Sequence, residues 1–173
     1  MLNNSRRIIL QNNAKHFMLW GILLTVTSLV IYELWHITGN PIWNCAWFAM
    51  PALGFPIVRI LDRKNTDVPQ NVINKQLGLI WLTYCIFAVS ISVIAMLAVP
   101  MNISLVIVVL LGFAESISGF LLKNWAITIG GFILGIGGAV FASMVHNEAQ
   151  LLIFTLGGII LVVTGLIIKF QYK

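Results

Sequence analysis

The sequence predicts an all-α integral membrane protein: a bundle of six transmembrane helices, arranged as three helical hairpins, with both termini cytoplasmic. Three observations carry this prediction. Of 173 residues, 60% are hydrophobic and 9% are charged, whereas a soluble domain carries about 25% charged residues. The mean hydropathy is +0.98. Apolar stretches also recur at about the length, roughly 20 residues, that crosses a bilayer. The whole chain, 1–173, reads as a single transmembrane domain, with a cytoplasmic N-terminal segment at 1–16 and a cytoplasmic loop at 61–77.

Taken in order, the spans fall near 17–37, 42–60, 78–99, 103–122, 125–145 and 150–169. The start, "MLNNSRRIILQNNAKHFMLW", is basic, but its apolar run continues to about Ile37 with no A-x-A-like cleavage site. It reads as an uncleaved first span. Arg6 and Arg7 beside Ile8, Ile9 and Leu10 suit a segment lying along anionic headgroups. Span two, "WFAMPALGFPIVRI", is interrupted by Pro51 and Pro56, and Gly54 between them adds to an expected bend. The polar stretch "DRKNTDVPQNVINKQ" forms a loop with a turn at Pro69. Spans four and five are separated by little more than Lys123 and Asn124, which demands a tight antiparallel hairpin.

The basic residues set the direction. Arg6, Arg7 and Lys15 precede span one, and Arg59, Arg63, Lys64 and Lys75 lie at or between the ends of spans two and three. Lys123 joins spans four and five, and Lys169 and Lys173 close the chain. All ten Lys and Arg therefore fall on one side of a six-span chain. The opposite loops, 38–41, 100–102 and 146–149, have none, so the positive-inside rule makes the basic side cytoplasmic. Trp20, Trp81 and Trp125 near the inner ends, and Trp35, Trp43 and Trp47 near the outer ends, suit interfacial anchoring. The net charge of +5 is spread too thinly for nucleic acid. The localisation expected is the bacterial inner membrane, multi-pass, with membrane lipids as partners.

Small residues mark the packing faces. Gly112, Ser116 and Gly119 recur at helical spacing on span four. Thr128, Gly131, Gly135, Gly138 and Ala142 do so on span five, and Gly21, Thr25, Ser28 and Tyr32 on span one. Such faces let backbones approach closely, and packing is what holds helices together in lipid. The expectation is packing within one bundle, with a homo-oligomer seam as the other use. Cys45 and Cys85 fall at different depths and should not pair.

Glu115, in "GFAESISGF", is the acid that stands deep in a span, about 10 Å from the inner end. An acid at such depth is a functional-site hypothesis by default. The depth count places it in a layer with Thr25, Tyr84 and Thr164, and Ser116 is its neighbour in sequence. The expectation is an inward-facing, neutral carboxyl bonded to a hydroxyl or a water. On that expectation Glu115→Leu would cost about 1–3 kcal/mol by leaving partners unpaired, whereas Glu115→Gln would be tolerated. At the outer end, Glu33 and His36 of span one, with His146 and Glu148, would offer two imidazoles and two carboxylates if spans one and five were adjacent. The spacing is generic, and no metal and no cofactor are expected. GxSxG, HExxH, P-loop and dinucleotide motifs do not occur, so no catalytic residues are assigned and the chain reads as a non-enzyme.

The segments "FMLWGILL" (17–24), "WFAMPALGFPIVRI" (47–60), "LIWLTYCIFAVS" (79–90) and "GFAESISGFLLKNWAITIGG" (112–131) together resemble a family of uncharacterised small six-span inner-membrane proteins of Bacteroidota. The C-terminal "VVTGLIIKFQYK" departs from it in lacking a Pro-Gly pair. Spans four to six also resemble HdeD-type acid-resistance membrane proteins, through glycine spacing alone. The resemblance implies the fold and no site residues. The function expected is a structural, regulatory or accessory membrane module, acting with an unidentified membrane partner. The alternative is a small proton- or cation-linked transporter or channel subunit using Glu115.

Overall fold

The computed structural model describes residues 2–63, 72–98 and 101–171. In chain order these form α1 (Leu2–Thr38), a 3-10 segment (Pro41–Phe48), α2 (Ala49–Arg63), α3 (Val72–Leu97) and α4 (Ile103–Leu122). There follow α5 (Trp125–Phe132), a π-helical turn (Ile133–Gly137), α6 (Gly138–Met144), a second 3-10 segment (Asn147–Gln150) and α7 (Leu151–Gln171). No strand occurs among the described residues. Six helical stretches there are long and apolar enough to cross a membrane: Arg7–Thr38, Pro41–Leu61, Val72–Ala95, Ile103–Leu122, Trp125–Met144 and Asn147–Gln171. The all-helical class and the number of spans agree with the sequence. The turn expected at Pro69 lies outside the described residues. The chain reads from sequence as one domain, whereas its contacts group it into two compact units: Met1–Pro69 with Asn147–Lys173, and Gln70–His146.

In the first unit, α1 is one unbroken helix of 37 residues, about 55 Å long at the helical rise. Residues 2–16 are therefore the first turns of the same helix that forms span one. Ile9 and Leu10 are fully buried, so protein covers the side chains that the sequence assigns to headgroups. Gly39 ends the helix at φ +65°, its N–H donating to Trp35 O at 2.7 Å, a conformation that glycine adopts without a Cβ penalty. Asn40 then caps the 3-10 segment by accepting from Ile42 N, with Pro41 at its start. Pro51 falls in the first turn of α2 and Pro56 inside that helix. A Cβ at Gly54 would meet the Trp20 ring and stand 3.2 Å from Leu23 Cδ1. Gly54 is thus a seat for Trp20, which also packs edge-on against Phe55 at 5.5 Å.

Helices α1 and α7 run antiparallel along most of their length. A Cβ at Gly21 would lie 2.6 Å from Gly158 O and 2.9 Å from Val162 N, and one at Gly165 would lie 2.8 Å from Ala14 O. Real Cβ atoms do not tolerate such distances, so these glycines set the interhelical spacing. Ser28 and Thr155 share a buried hydrogen bond at 2.9 Å across the seam. Interhelical hydrogen bonds of this kind average about 0.6 kcal/mol in membranes. Ser28→Ala is therefore expected to lower stability by about that amount, with no further loss when Thr155→Val is added. Additive losses in thermal unfolding would show that the two hydroxyls do not act as a pair.

In the second unit, α4 and α5 form the hairpin that the sequence predicts. Lys123 adopts a left-handed conformation, φ 49° and ψ 41°. Its N–H donates to Phe120 O, and that of Asn124 donates to Gly119 O. These two bonds close a Schellman-type end. Asn124 then caps α5, its side chain accepting from Ile127 N at 3.2 Å. Along the hairpin, Gly112 lies against the backbones of Gly131 and Gly135, Gly131 against Ser116, and Gly119 against Thr128. At the far end, Asn102 caps α4 by accepting from Leu105 N and donates to Ala142 O at 2.9 Å. The span-four and span-five glycine faces are used within this unit. Gly138, half-buried, opens α6 after the π-helical turn.

Candidate functional site

Helical spacing places Val108, Leu111, Glu115, Ser118 and Leu122 on one side of α4, neighbours three or four residues apart. All five are buried. This side is distinct from the Gly112, Ser116 and Gly119 edge that meets α5. Glu115 therefore stands in the middle of a second covered face of the same helix. Its exposure is 0%, and among the described residues neither carboxyl oxygen has a hydrogen-bond partner.

The inward orientation expected from the sequence is present; the expected hydroxyl partner is not. Ser118 Oγ donates to Ala114 O at 2.7 Å. Ser116 Oγ donates to Thr128 O at 3.5 Å. Thr25 Oγ1, on α1, donates to Gly21 O at 2.8 Å. Tyr84 packs its ring edge-on against Trp81 at 5.9 Å, and Thr164 is buried on α7. The physical reason is local: a serine or threonine in an apolar helix can satisfy its hydroxyl on a carbonyl one turn back. Counting layers by depth cannot anticipate this, because it ignores where each short side chain spends its proton.

A buried carboxylate without a counter-charge costs several kcal/mol or more. Glu115 is the one acidic or basic side chain among the buried polar residues described, which are otherwise Ser28, Ser116, Ser118, Asn124, Thr128, Thr155 and Thr164. A carboxyl in its protonated form can donate one hydrogen bond and accept another. A hollow of about 190 Å³ lies at the α4–α5 turn, lined by Gly119, Phe120, Lys123, Asn124, Trp125 and Thr128. Glu115 is not in its lining.

At the other expected cluster, His36 Nδ1 lies 3.4 Å from Glu148 Oε1, with side-chain exposures of 61% and 30%. His36 also stacks on Tyr32 at 5.8 Å. An ion pair this exposed contributes little. Glu33 and His146 do not complete it, and no group of three or more His, Cys, Asp or Glu among the described residues is placed to hold a metal ion. Cys45 is exposed and Cys85 half-buried, and both are free thiols.

Sequence reading missed the α7 side of the first unit's seam: Thr155, Gly158 and Gly165. Their signal was legible, since Gly158 and Gly165 stand seven residues apart in "TLGGIILVVTGL" and so share one helix face. No family model, curated protein or solved structure matches this chain, so its functional reading rests on its own residues and geometry.

Proposed function

We propose that this chain is a multi-pass protein of the bacterial inner membrane, with both termini cytoplasmic, that acts as a non-enzymatic structural, regulatory or accessory module. The observation that supports this reading is the antiparallel α1–α7 seam. It brings the basic start of α1 and the Lys169 end of α7 to the same end of their pair, as a single cytoplasmic face for all Lys and Arg requires. The resemblance to the six-span Bacteroidota family belongs to the same proposal, and so does pairing with another copy or an unidentified membrane protein. Reporter fusions test the topology. Fusions at residue 65 and at the C-terminus are expected to report cytoplasm, and one at Asn147 periplasm. A C-terminus and an Asn147 fusion reporting the same compartment would overturn the reading.

A second reading is favoured by one observation, the buried carboxyl of Glu115, which has no hydrogen-bond partner among the described residues. It makes the chain a small proton- or cation-linked transporter or channel subunit in which Glu115 carries the ion. Intramembrane acids commonly mark such pathways. Ion flux in vesicles, compared between the parent chain and Glu115→Gln, separates the two readings: equal flux leaves the module.

A further inference from the structure

We infer that Glu115 is a proton-binding site, a carboxyl that takes its neutralising charge from a proton and not from a metal cation or a protein base. The inference rests on the second reading above for its physiological use, and on the geometry of α4 for its chemistry. Both oxygens are enclosed and lack a hydrogen-bond partner among the described residues, and no Lys, Arg or His is among the buried residues there. Among the described residues, then, no side chain neutralises it, and an ion bound from solution is left to do so.

Two classes of ion could supply it. A calcium ion takes 6–8 oxygen ligands at about 2.3–2.6 Å, and magnesium needs an octahedral set. Glu115 would bring one carboxylate to such a set. The hydroxyls nearest in sequence, Ser116 and Ser118, are turned to the backbone carbonyls of Thr128 and Ala114. No group of three acidic, His or Cys side chains is placed for a metal among the described residues. A proton needs one lone pair of one oxygen, and the resulting acid leaves no net charge in the apolar interior.

Infrared spectroscopy of the full-length protein in phospholipid vesicles at neutral pH reads the protonation state directly. A neutral carboxyl without a hydrogen bond absorbs at higher frequency than a bonded acid, and far above a carboxylate. The expected result is one such band that shifts on 13C-glutamate labelling and on exchange into deuterium oxide. It should be lost in Glu115→Gln. The isotope shift identifies a glutamate without any variant, so the result does not depend on how Glu115→Gln folds. Absence of the high-frequency glutamate band would overturn the inference. So would its loss on adding sodium, potassium or calcium chloride, which would mean that a metal ion displaces the proton. Proton flux in the same vesicles keeps the two claims separate. A band present, with flux equal in the parent chain and Glu115→Gln, keeps the proton site and removes the transport reading.

Discussion

Gly112→Leu is expected to break the α4–α5 hairpin, with a loss of about 3 kcal/mol or more, at the upper end of what overpacking costs. A Cβ at Gly112 would fall on the Cα and N of Gly135 and within 2.5 Å of Gly131 O. Backbone cannot move aside as a side chain tip can, so even Gly112→Ala should cost about 1–3 kcal/mol. Gly135, which sequence spacing marks equally, is less confined: its Cβ would stand 3.3 Å from Gly112 Cα. Gly137, in the same π-helical turn, has nothing within 4 Å, and Val109 is 42% exposed. Gly137→Ala and Val109→Leu should therefore leave stability unchanged. Thermal unfolding in detergent ranks the series, and equal melting temperatures for Gly112→Ala and Gly137→Ala would disprove the backbone contact.

Glu115→Leu is expected to stabilise the protein by about 1–3 kcal/mol, the cost of a buried polar group without a partner. This reverses the direction read from sequence, and the reversal has one cause. A carboxyl bonded to Thr25 or Tyr84 would leave those hydroxyls unpaired on removal. The structure instead gives Thr25 its bond to Gly21 O and gives Glu115 none among the described residues. Glu115→Gln should be close to neutral, because an amide in the same place is equally unpartnered. Melting temperatures in detergent check both. A loss of stability in Glu115→Leu would mean that the carboxyl has a partner after all.

Several features were legible because they depend on local chemistry. The "LLKNWAIT" turn reads as a hairpin, since little more than Lys123 and Asn124 separates two apolar runs; the left-handed Lys123 and the Asn124 cap are how the structure makes it. "TGNP" at the α1 end carries a like signal that the sequence reading passed over: Gly39 ends the helix and Asn40 caps the next segment. Gly54 was legible only as a breaker. Its use as a seat for Trp20 depends on α1 and α2 meeting, which no window of sequence contains. Residues 2–16 read as a separate polar segment because their charges mask a helix, and the burial of Ile9 and Leu10 lies in the packing.

By itself the sequence determined the helical class, the number of apolar spans, the charge asymmetry, the tight turn at Lys123–Asn124 and the presence of an acid inside an apolar run. These follow from composition and from the length of apolar runs. Only the tertiary structure decided that Gly21 meets Gly158, that Gly112 meets Gly131 and Gly135, and that Glu115 is enclosed with no partner among the described residues. Those depend on which helix faces come together. In apolar helices many faces look alike, and a hydroxyl's proton goes to the nearest carbonyl rather than to the farther acid.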